Sequence, residues 1–475
     1  MSEMARPDIC VIGGGSGGLS VAAAAAAFGV SIILVERGRM GGDCLNYGCV
    51  PSKALIAAAK SVHTAGTSPF VDRAPDALSV NFDHVRAHVR RAIEAIAPND
   101  SVERFTALGV RVIEAEARFV DRRTVAAGGL LIRARRFVVA TGSTAAIPPV
   151  PGLEDIDYLT NESLFDLERL PRSLAILGGG PIGMEMAQAF RRLGSEVTVI
   201  EAARVLGRED RELASVVIDR LRREGVVLHE GTAVEAVEAA DGGILLRCRG
   251  EKAVFTVEAE RLLVAAGRRP VTGGLDLDRA KVQFSARGIV ADSSMRTSNR
   301  RVYAIGDVAE GRPQFTHLAG YHAGLVVRSI LFRVRARENL AILPAASYTD
   351  PEIASIGLSE AEARKRHGTI TILRWPFAEN DRAQAEGDTE GLIKLVVGAK
   401  GRVLGVGIAG RGAGELITFW SLVIERGMRL KDLTGYLSPY PTRAEIGKRA
   451  VISYYAPMAR HRWIRALVRF LRRLG

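Results

Sequence analysis

The sequence predicts an α/β fold in which one strand–turn–helix–strand unit occurs twice and a smaller α+β segment follows. In the first copy, an apolar run enters the glycine-rich turn 13–18, an alanine-rich helix follows, and a second apolar run ends at Glu36. The same order recurs in the second copy, with a strand predicted at 173–177, the turn at 178–183 and a second strand at 196–200 before Glu201. In both copies the acid lies 23 residues after the first glycine of the turn. From about Ala345 the pattern changes to short alternating strands and amphipathic helices, which indicates a third domain.

Each copy contains the residue types that bind a dinucleotide. The first glycine of the turn permits a tight bend, the second lets the backbone approach a pyrophosphate, and the third lets helix and strand pack closely. The helix N-terminus offers N–H groups to phosphate, and the acid can accept hydrogen bonds from ribose hydroxyls. These residues are Gly13, Gly15, Gly18 and Glu36 in the first copy and Gly178, Gly180, Gly183 and Glu201 in the second. We therefore predict two Rossmann-like dinucleotide-binding domains.

The domain limits follow from the distribution of glycine and proline. The stretch IPPVPG at 147–152 is typical of a stiff linker, and it separates the two copies. A chain of 475 residues has room for about three domains of ~150 residues each. We expect residues 1–150 and 271–344 to form the first nucleotide-binding domain, 151–270 the second, 345–456 the third domain, and 457–475 a basic amphipathic tail.

Composition and charge exclude several classes of protein. Apolar residues make up 47% of the chain and charged residues 25%, which is typical of a globular protein. The net charge is +12, but six arginines lie in the last sixteen residues, so we expect no nucleic-acid partner. Residues 9–35 carry no charge, yet the six glycines among them argue against a membrane-spanning helix. The N-terminus is a poor signal peptide, and we expect a cytoplasmic protein.

Two of the four cysteines lie in a stretch that favours redox chemistry. Cys44 and Cys49 are five residues apart in GGDCLNYGCVPSKAL, just before a predicted helix. A helix N-terminus and the nearby Lys53 would lower the pKa of a thiol and favour the thiolate. Two buried free cysteines are the alternative, but the flanking glycines and the dinucleotide fold favour a redox disulfide. Cys10 and Cys248 are expected to be inert core residues.

These motifs together resemble the pyridine nucleotide–disulfide oxidoreductases, the group that includes dihydrolipoamide dehydrogenase, glutathione reductase and mercuric reductase. The resemblance covers roughly residues 7–455. It rests on both glycine turns with their acids, the double-cysteine stretch, ATGS at 140–143, AAGRRP at 265–270, YAIGD at 303–307 and YTDPEIASIGLSE at 348–360.

The resemblance implies a relay between two cofactors and a disulfide. The first turn would hold FAD and the second a nicotinamide dinucleotide, with hydride passing to the flavin and the flavin reducing the disulfide. Cys49 would lie against the flavin and Cys44 would attack the acceptor, while Lys53 and Glu185 would pair beside the flavin ring. Asp307 would reach the ribitol or phosphate region of FAD. Motif residues that the resemblance also assigns to cofactor binding are Gly42, Thr141, Gly142 and Gly267.

The identity of the nicotinamide cofactor is partly readable from the second copy. A 2′-phosphate would be repelled by Glu201, and no arginine replaces this acid at the strand end. NADH is therefore favoured over NADPH, although Arg204 and Arg208 lie close enough in sequence to keep NADPH open.

One departure from the family lies near the C-terminus. Relatives that act on lipoamide or glutathione carry His-Pro-Thr there with a glutamate five residues after the histidine, and the partner subunit supplies this acid–base pair. Here Glu445 is present, but Tyr440 stands at the histidine position. A tyrosine, with a pKa near ~10, donates a hydrogen bond but is a poor base at neutral pH. In having a tyrosine at this position the chain resembles mercuric reductase, but it has no cysteine after Cys248.

The resemblance also implies a homodimer, because the third domain of the family completes the partner's site. The acceptor would be a small disulfide, a thiol or a soft metal. The sequence has no His/Cys cluster with the spacing of a zinc site, so we expect no structural metal. Alternatives are dihydrolipoamide dehydrogenase, mercuric reductase, a flavin-only NADH:quinone or oxygen reductase, and a membrane-tethered redox sensor.

The tail has a pattern of its own, with apolar residues at helical spacing between arginines. Trp463, Leu467, Phe470, Leu471 and Leu474 would share one face of a helix over about 458–474. Such a helix fits peripheral contact with the inner face of an anionic membrane. A helix that packs on the dimer with its arginines in solvent is the alternative.

Overall fold

The structure is a computed structural model that describes residues 3–70 and 79–474. In those residues the helices are α1 Ser16–Ala26, α2 Gly42–Asn46, α3 Cys49–Thr67, α4 Phe82–Ile96, α5 Val102–Ala107, α6 Pro181–Leu193, α7 Arg211–Arg223, α8 Thr316–Phe332, α9 Glu360–His367, α10 Asp381–Glu386, α11 Ala413–Glu425, α12 Glu445–Ser453 and α13 Arg462–Leu471. The strands are β1 Met4–Ala5, β2 Ile9–Ile12, β3 Ile32–Glu36, β4 Val110–Glu114, β5 Arg118–Asp121, β6 Thr124–Ala127, β7 Leu130–Ile132, β8 Arg136–Val139, β9 Ser143–Ala145, β10 Ser173–Leu177, β11 Glu196–Ile200, β12 Val227–His229, β13 Ala233–Ala240, β14 Gly243–Arg249, β15 Val254–Ala259, β16 Arg261–Val264, β17 Arg268–Pro270, β18 Phe284–Ser285, β19 Gly288–Ile289, β20 Val302–Ala304, β21 Ala345–Ser347, β22 Glu352–Gly357, β23 Thr371–Pro376, β24 Leu392–Val397 and β25 Val403–Gly410.

The chain forms two compact units, each assembled from several stretches. The first unit comprises the chain up to Gly178 together with Arg192–Ala202 and Thr232–Glu338. The second comprises Gly179–Arg191, Ala203–Gly231 and the chain from Asn339 onward. The domain limits expected from the sequence stay a prediction.

A parallel sheet forms the centre of the first unit. Its strand order is β20-β8-β2-β3-β4, and Ile9 pairs with both Ile32 and Arg136. Such central strands are buried on both faces, which is why they are continuous apolar runs rather than alternating ones. Val11 and Leu34 are fully buried in its core. The predicted order of strand, glycine turn, helix and strand is confirmed in β2, α1 and β3.

The second copy of the motif begins in the same unit. Strand β10 pairs in parallel with β11 and with β16, so that Leu174 lies beside both Val197 and Arg261. The predicted strands 173–177 and 196–200 are confirmed, and the turn after β10 leads into α6. Both copies end their first strand at a glycine, which places each turn at the carboxyl edge of a parallel sheet, where dinucleotides bind.

The second unit contains the predicted α+β segment. Its antiparallel sheet has the order β21-β22-β25-β24-β23, and α11 and α12 pack against it. Ile408, Trp420 and Val451 are buried in the core that the sheet and helices share. The fold class predicted from the sequence is thereby confirmed.

The helix of the C-terminal tail is shorter than expected. A helix was expected over about 458–474, but residues 456–460 form a short 3-10 helix and α13 extends only from Arg462 to Leu471. The physical reason is local, since His461 has an extended backbone that interrupts the helix. In the described part of the chain, every helix is too short or too polar to cross a membrane.

Candidate functional site

The glycines of the first turn are required for two different reasons. A Cβ on Gly18 would lie 1.8 Å from the carbonyl oxygen of Gly13, and a Cβ on Gly13 would lie 2.4 Å from that of Ala140. The fold itself therefore demands glycine at both positions. At Gly15 a Cβ would have only the Cα of Gly42 near it, at 3.8 Å, and the backbone is extended. A Cβ at Gly15 would therefore clash with no protein atom, and the prediction that this glycine lets a ligand approach the backbone stays a prediction.

The second turn repeats this contrast. A Cβ on Gly178 would lie 2.4 Å from the carbonyl oxygen of Ala265, whereas Gly180 has no described atom within 4 Å of that position. Gly183 is buried within α6. Both turns thus leave open space at the second glycine, where a pyrophosphate would approach.

The acid and the helix end of the first copy fit a dinucleotide as well. The carboxylate of Glu36 accepts hydrogen bonds from the N–H groups of Gly14 (2.5 Å) and Gly38 (2.7 Å), which hold it beside the turn. Each carboxylate oxygen keeps a lone pair for a ribose hydroxyl. No side chain caps α1 at its N-cap residue Gly15, so its first N–H groups are available to phosphate. Glu201 follows β11 at the matching position and is half-buried.

The two cysteines of the CLNYGC stretch come together in the first unit. Cys44 lies in α2, and Cys49 is the first residue of α3, whose third residue is Pro51. Cys44 is hydrogen-bonded to Cys49, and the Sγ of Cys49 lies 3.3 Å from the Oγ1 of Thr316. Cys10 and Cys248 are fully buried in β2 and β14, as expected of inert core residues.

The surroundings of the pair separate the two thiols by their acidity. The hydrogen bond from Cys44, with help from Thr316 and the charge of Lys53, lowers the pKa of Cys49 to about 6 although burial opposes this. The hydrogen bond to Cys49 and burial raise the pKa of Cys44. At neutral pH the reduced pair therefore holds one thiolate, at Cys49, and one thiol, at Cys44.

We expect alkylation of Cys49 by iodoacetamide in the reduced protein to have a midpoint near pH 6. Only the thiolate reacts, and its fraction rises as the pH rises through the pKa. An ordinary cysteine, with a pKa of ~8.5, would show its midpoint more than two pH units higher. In Cys44→Ala, which removes the main hydrogen-bond donor, the midpoint should move upward. A midpoint above pH 8 in the unaltered chain would contradict the assignment.

A polar chain in the same unit connects four of the sequence motifs. The carboxylate of Asp307 accepts from the Ser143 hydroxyl (2.6 Å), which in turn accepts from Arg268 (2.8 Å). Arg268 also pairs with Asp43 (3.2 Å), which accepts from the side chain of Asn161. Burial raises the pKa of Asp307. This polar network connects Asp307 to Asp43, the residue next to Cys44.

Four further residues of the predicted cofactor site also lie in the first unit. The hydroxyl of Thr141 donates to the carbonyl oxygen of Val271 (2.7 Å), so this side chain links two segments of the unit. Gly142 and Gly267 have left-handed φ values of +66° and +127°, which favour glycine. Gly42 has φ +59°, and a Cβ there would lie 2.7 Å from the Cα of Gly15.

The predicted Lys53–Glu185 pair is divided between the two units. Lys53 lies one turn after Cys49 in α3, where its charge contributes to the lowered pKa of that thiol. Glu185 lies in α6, is only 5% exposed, and accepts from the N–H of Tyr348 (2.8 Å). Their pairing stays a prediction.

The residues near the C-terminus lie in the second unit. The Tyr440 side chain is 70% exposed, and its hydroxyl donates to Asp381 (3.1 Å). This hydrogen bond raises the pKa of Tyr440, so its hydroxyl is protonated at neutral pH. Glu445 is the first residue of α12.

Sequence reasoning missed several residues that the structure places at these sites. Three of them, Ser143, Arg268 and Asp43, lie inside motifs described above, and those motifs could have indicated them. Thr316 and Asp381 carry no local signal, since they are 267 and 59 residues from their partners. Among the described residues, no group of three His, Cys, Asp or Glu side chains is arranged to hold a metal ion.

Comparison with protein families gives two matches along the chain. The model of the family described as "Pyridine nucleotide-disulphide oxidoreductase" matches residues 7–323. The model of the dimerisation domain of the same family matches residues 343–451.

Individual relatives cover nearly the whole chain. Mercuric reductase from Bacillus cereus is 36% identical over 94% of this chain and 71% of its own length. Dihydrolipoyl dehydrogenase 2 from Haloarcula marismortui is 36% identical over 92% of this chain and 94% of its own length. A Cu(II) complex of the HOCl-induced flavoprotein disulfide reductase RclA from Escherichia coli superimposes with a TM-score of 0.82 at 27% identity, covering 92% of this chain and 98% of that one.

Proposed function

This chain belongs to the pyridine nucleotide–disulfide oxidoreductase family, whose members are flavin-dependent enzymes, and we propose that it passes electrons from NADH through a Cys44–Cys49 disulfide to a soft metal cation or a small disulfide. The observation that carries the proposal is the contact between the two thiols, in which the pKa of Cys49 is lowered to about 6. This contact lies in the same compact unit as the first glycine turn.

The chemistry requires two electrons in each cycle. When bound, the flavin supplies the electron pair that it receives as hydride from the nicotinamide. Reduction of the Cys44–Cys49 bond with this pair and one proton leaves a thiol at Cys44 and a thiolate at Cys49. For a disulfide acceptor, Cys44 loses its proton, attacks one sulfur and releases the first thiolate. Cys49 then attacks Cys44 in the mixed disulfide, which releases the second thiolate and restores the bond. For a divalent soft cation, Cys44 loses its proton and both thiolates bind the cation, which then takes the two electrons of the pair as the Cys44–Cys49 bond forms again.

We assign the remaining residues on the same basis. Lys53 and Glu185 would pair beside the flavin ring, and Asp307 would hydrogen-bond to the FAD chain between its ring and its phosphates. Glu201 would accept from the ribose of NADH and repel the 2′-phosphate of NADPH. The family's dimerisation domain supports a homodimer, in which Tyr440 and Glu445 would complete the partner's site with Tyr440 as hydrogen-bond donor.

Two features favour the soft cation over lipoamide as acceptor. Tyr440 replaces the histidine that acts as base in lipoamide-reducing relatives, and its hydrogen bond to Asp381 makes it a still weaker acid–base group at neutral pH. Among the relatives, the mercuric reductases and the Cu(II) complex of RclA carry a soft or borderline metal in their names. We also propose a cytoplasmic enzyme whose tail, residues 458–475, contacts the inner face of the membrane.

An anaerobic titration of the purified protein with NADH and with NADPH tests the proposed function. We expect uptake of roughly four electrons per FAD, two for the flavin and two for the disulfide, together with the long-wavelength absorbance of a thiolate next to a flavin. NADH should reduce the protein at lower concentration than NADPH, and Glu201→Ala should diminish this difference. Uptake of roughly two electrons without the absorbance would refute the relay and favour a flavin-only quinone or oxygen reductase. Turnover with mercuric ion, with lipoamide and with glutathione disulfide then identifies the acceptor.

A further inference from the structure

Helix α13 and the residues just after it carry their arginines and their apolar side chains on separate faces. At about 100° per residue, its arginines and those just after it fall within one arc of about 100°. The apolar side chains occupy an arc of about 200° on the other side. The arginines are Arg462, Arg465 and Arg469 in the helix and Arg472 and Arg473 just after it. The apolar residues of the helix are Trp463, Ile464, Ala466, Leu467, Val468, Phe470 and Leu471.

The apolar arc is exposed in this structure. Trp463 is 60% exposed and Phe470 is 58% exposed, and Leu474 is still more open. The chain leaves the core of the second unit at Tyr454 and Tyr455, which pack against that core, and no residue of α13 is buried. Side chains of this size are rarely left in water together unless they form a contact surface.

The charge of the tail indicates which partner would cover this face. After Glu445 the sequence contains no acidic residue, while Arg460 adds a sixth arginine to the five in and just after the helix. A second copy of the tail would bring arginines toward arginines without any carboxylate to pair with them. A surface of anionic phospholipids offers phosphate to the arginines and acyl chains to the apolar arc.

We propose that α13 is a lipid-binding helix that lies in the plane of an anionic phospholipid surface, with Trp463 and Phe470 inserted among the acyl chains and the arginines on the headgroup phosphates. The proposal specifies the lipid to which the tail binds and rests on the membrane contact proposed above. It does not depend on the redox chemistry of the cysteines. The helix is about 15 Å long, too short to span a bilayer, so contact along its side is the geometry that buries its apolar arc.

Sedimentation of the full-length protein with vesicles tests the proposal. We expect binding to phosphatidylglycerol–phosphatidylcholine vesicles and weak binding to pure phosphatidylcholine. Binding should decline as the salt concentration rises from about 0.1 M to about 0.5 M, because salt screens the attraction between arginine and phosphate. The double charge reversal Arg469→Glu/Arg472→Glu should weaken binding by about 30-fold or more. Its matched control is Arg90→Glu/Arg91→Glu on the exposed surface of α4, which makes the same change in net charge and should bind as the unaltered chain does.

Two further readouts separate the proposal from its competitors. The emission of Trp463 should shift to shorter wavelength on vesicle binding, and Trp463→Phe should lose the shift while still sedimenting. NADH-dependent turnover measured on the same samples should be equal in both charge variants, so a failed tail and a failed active site are distinguishable. Equal vesicle binding by the tail variant and its control would overturn the proposal. So would a tail variant that changes the oligomeric state in solution, because that result would assign the face to a second copy of the chain.

Discussion

Replacing Cys49 by alanine is expected to lower NADH-dependent reduction of any disulfide or soft-metal acceptor by about a thousandfold or more, as the loss of one member of a reacting unit does. Without this sulfur no intramolecular disulfide can form, so no group can carry the electron pair from the flavin to the acceptor. Cys44→Ala should cause a loss of similar size, because it removes the same bond. Steady-state turnover with mercuric ion and with a small disulfide is the measurement.

The control for both variants is Cys248→Ala. Cys248 is fully buried in β14, away from the thiol pair in sequence and in a separate antiparallel sheet, so its loss should lower thermal stability and leave turnover nearly unchanged. A Cys49→Ala enzyme that keeps more than about a tenth of its activity would contradict the relay, since such a change is worth only ~1.4 kcal/mol. If NADH-dependent quinone reduction alone survives, the flavin works without the disulfide.

The second large effect concerns FAD binding. Gly15→Ala is expected to lower the affinity for FAD by about 100-fold, because a methyl group would occupy the space where the pyrophosphate approaches, an overpacking worth ~3 kcal/mol. The fold should survive, since the added Cβ has its nearest neighbour at 3.8 Å. The flavin content of the purified protein and the melting temperature of the flavin-free form measure the two effects separately.

Two other glycines provide matched comparisons. Gly18→Ala should destabilise the flavin-free protein as well, because its Cβ would lie 1.8 Å from the carbonyl oxygen of Gly13. Gly180→Ala has open space like Gly15 and should spare FAD while raising the KM for NADH. If Gly15→Ala and Gly18→Ala destabilise the flavin-free protein equally, the distinction between ligand-demanded and fold-demanded glycines is wrong.

Much of the fold could be predicted because the determining interactions are local. A run of apolar residues ending at a glycine such as Gly13 or Gly178 specifies a strand and a tight turn from near neighbours alone. The strands at 173–177 and 196–200 agree with the expectation to the residue. The tail helix was misplaced by four residues because the extended backbone of His461 has no signature in a hydrophobic pattern.

The sequence alone predicts the chemistry: two dinucleotide turns with their acids, a pair of cysteines five apart, and a tyrosine in place of a histidine. The groups that tune this chemistry are brought together by packing. Thr316 reaches Cys49 from 267 residues away, and Asp381, at the start of α10, accepts a hydrogen bond from the hydroxyl of Tyr440. The physical reason is that a motif is specified by the sterics of adjacent residues, whereas the pKa of a thiol depends on donors and charges that only packing brings within a few ångströms.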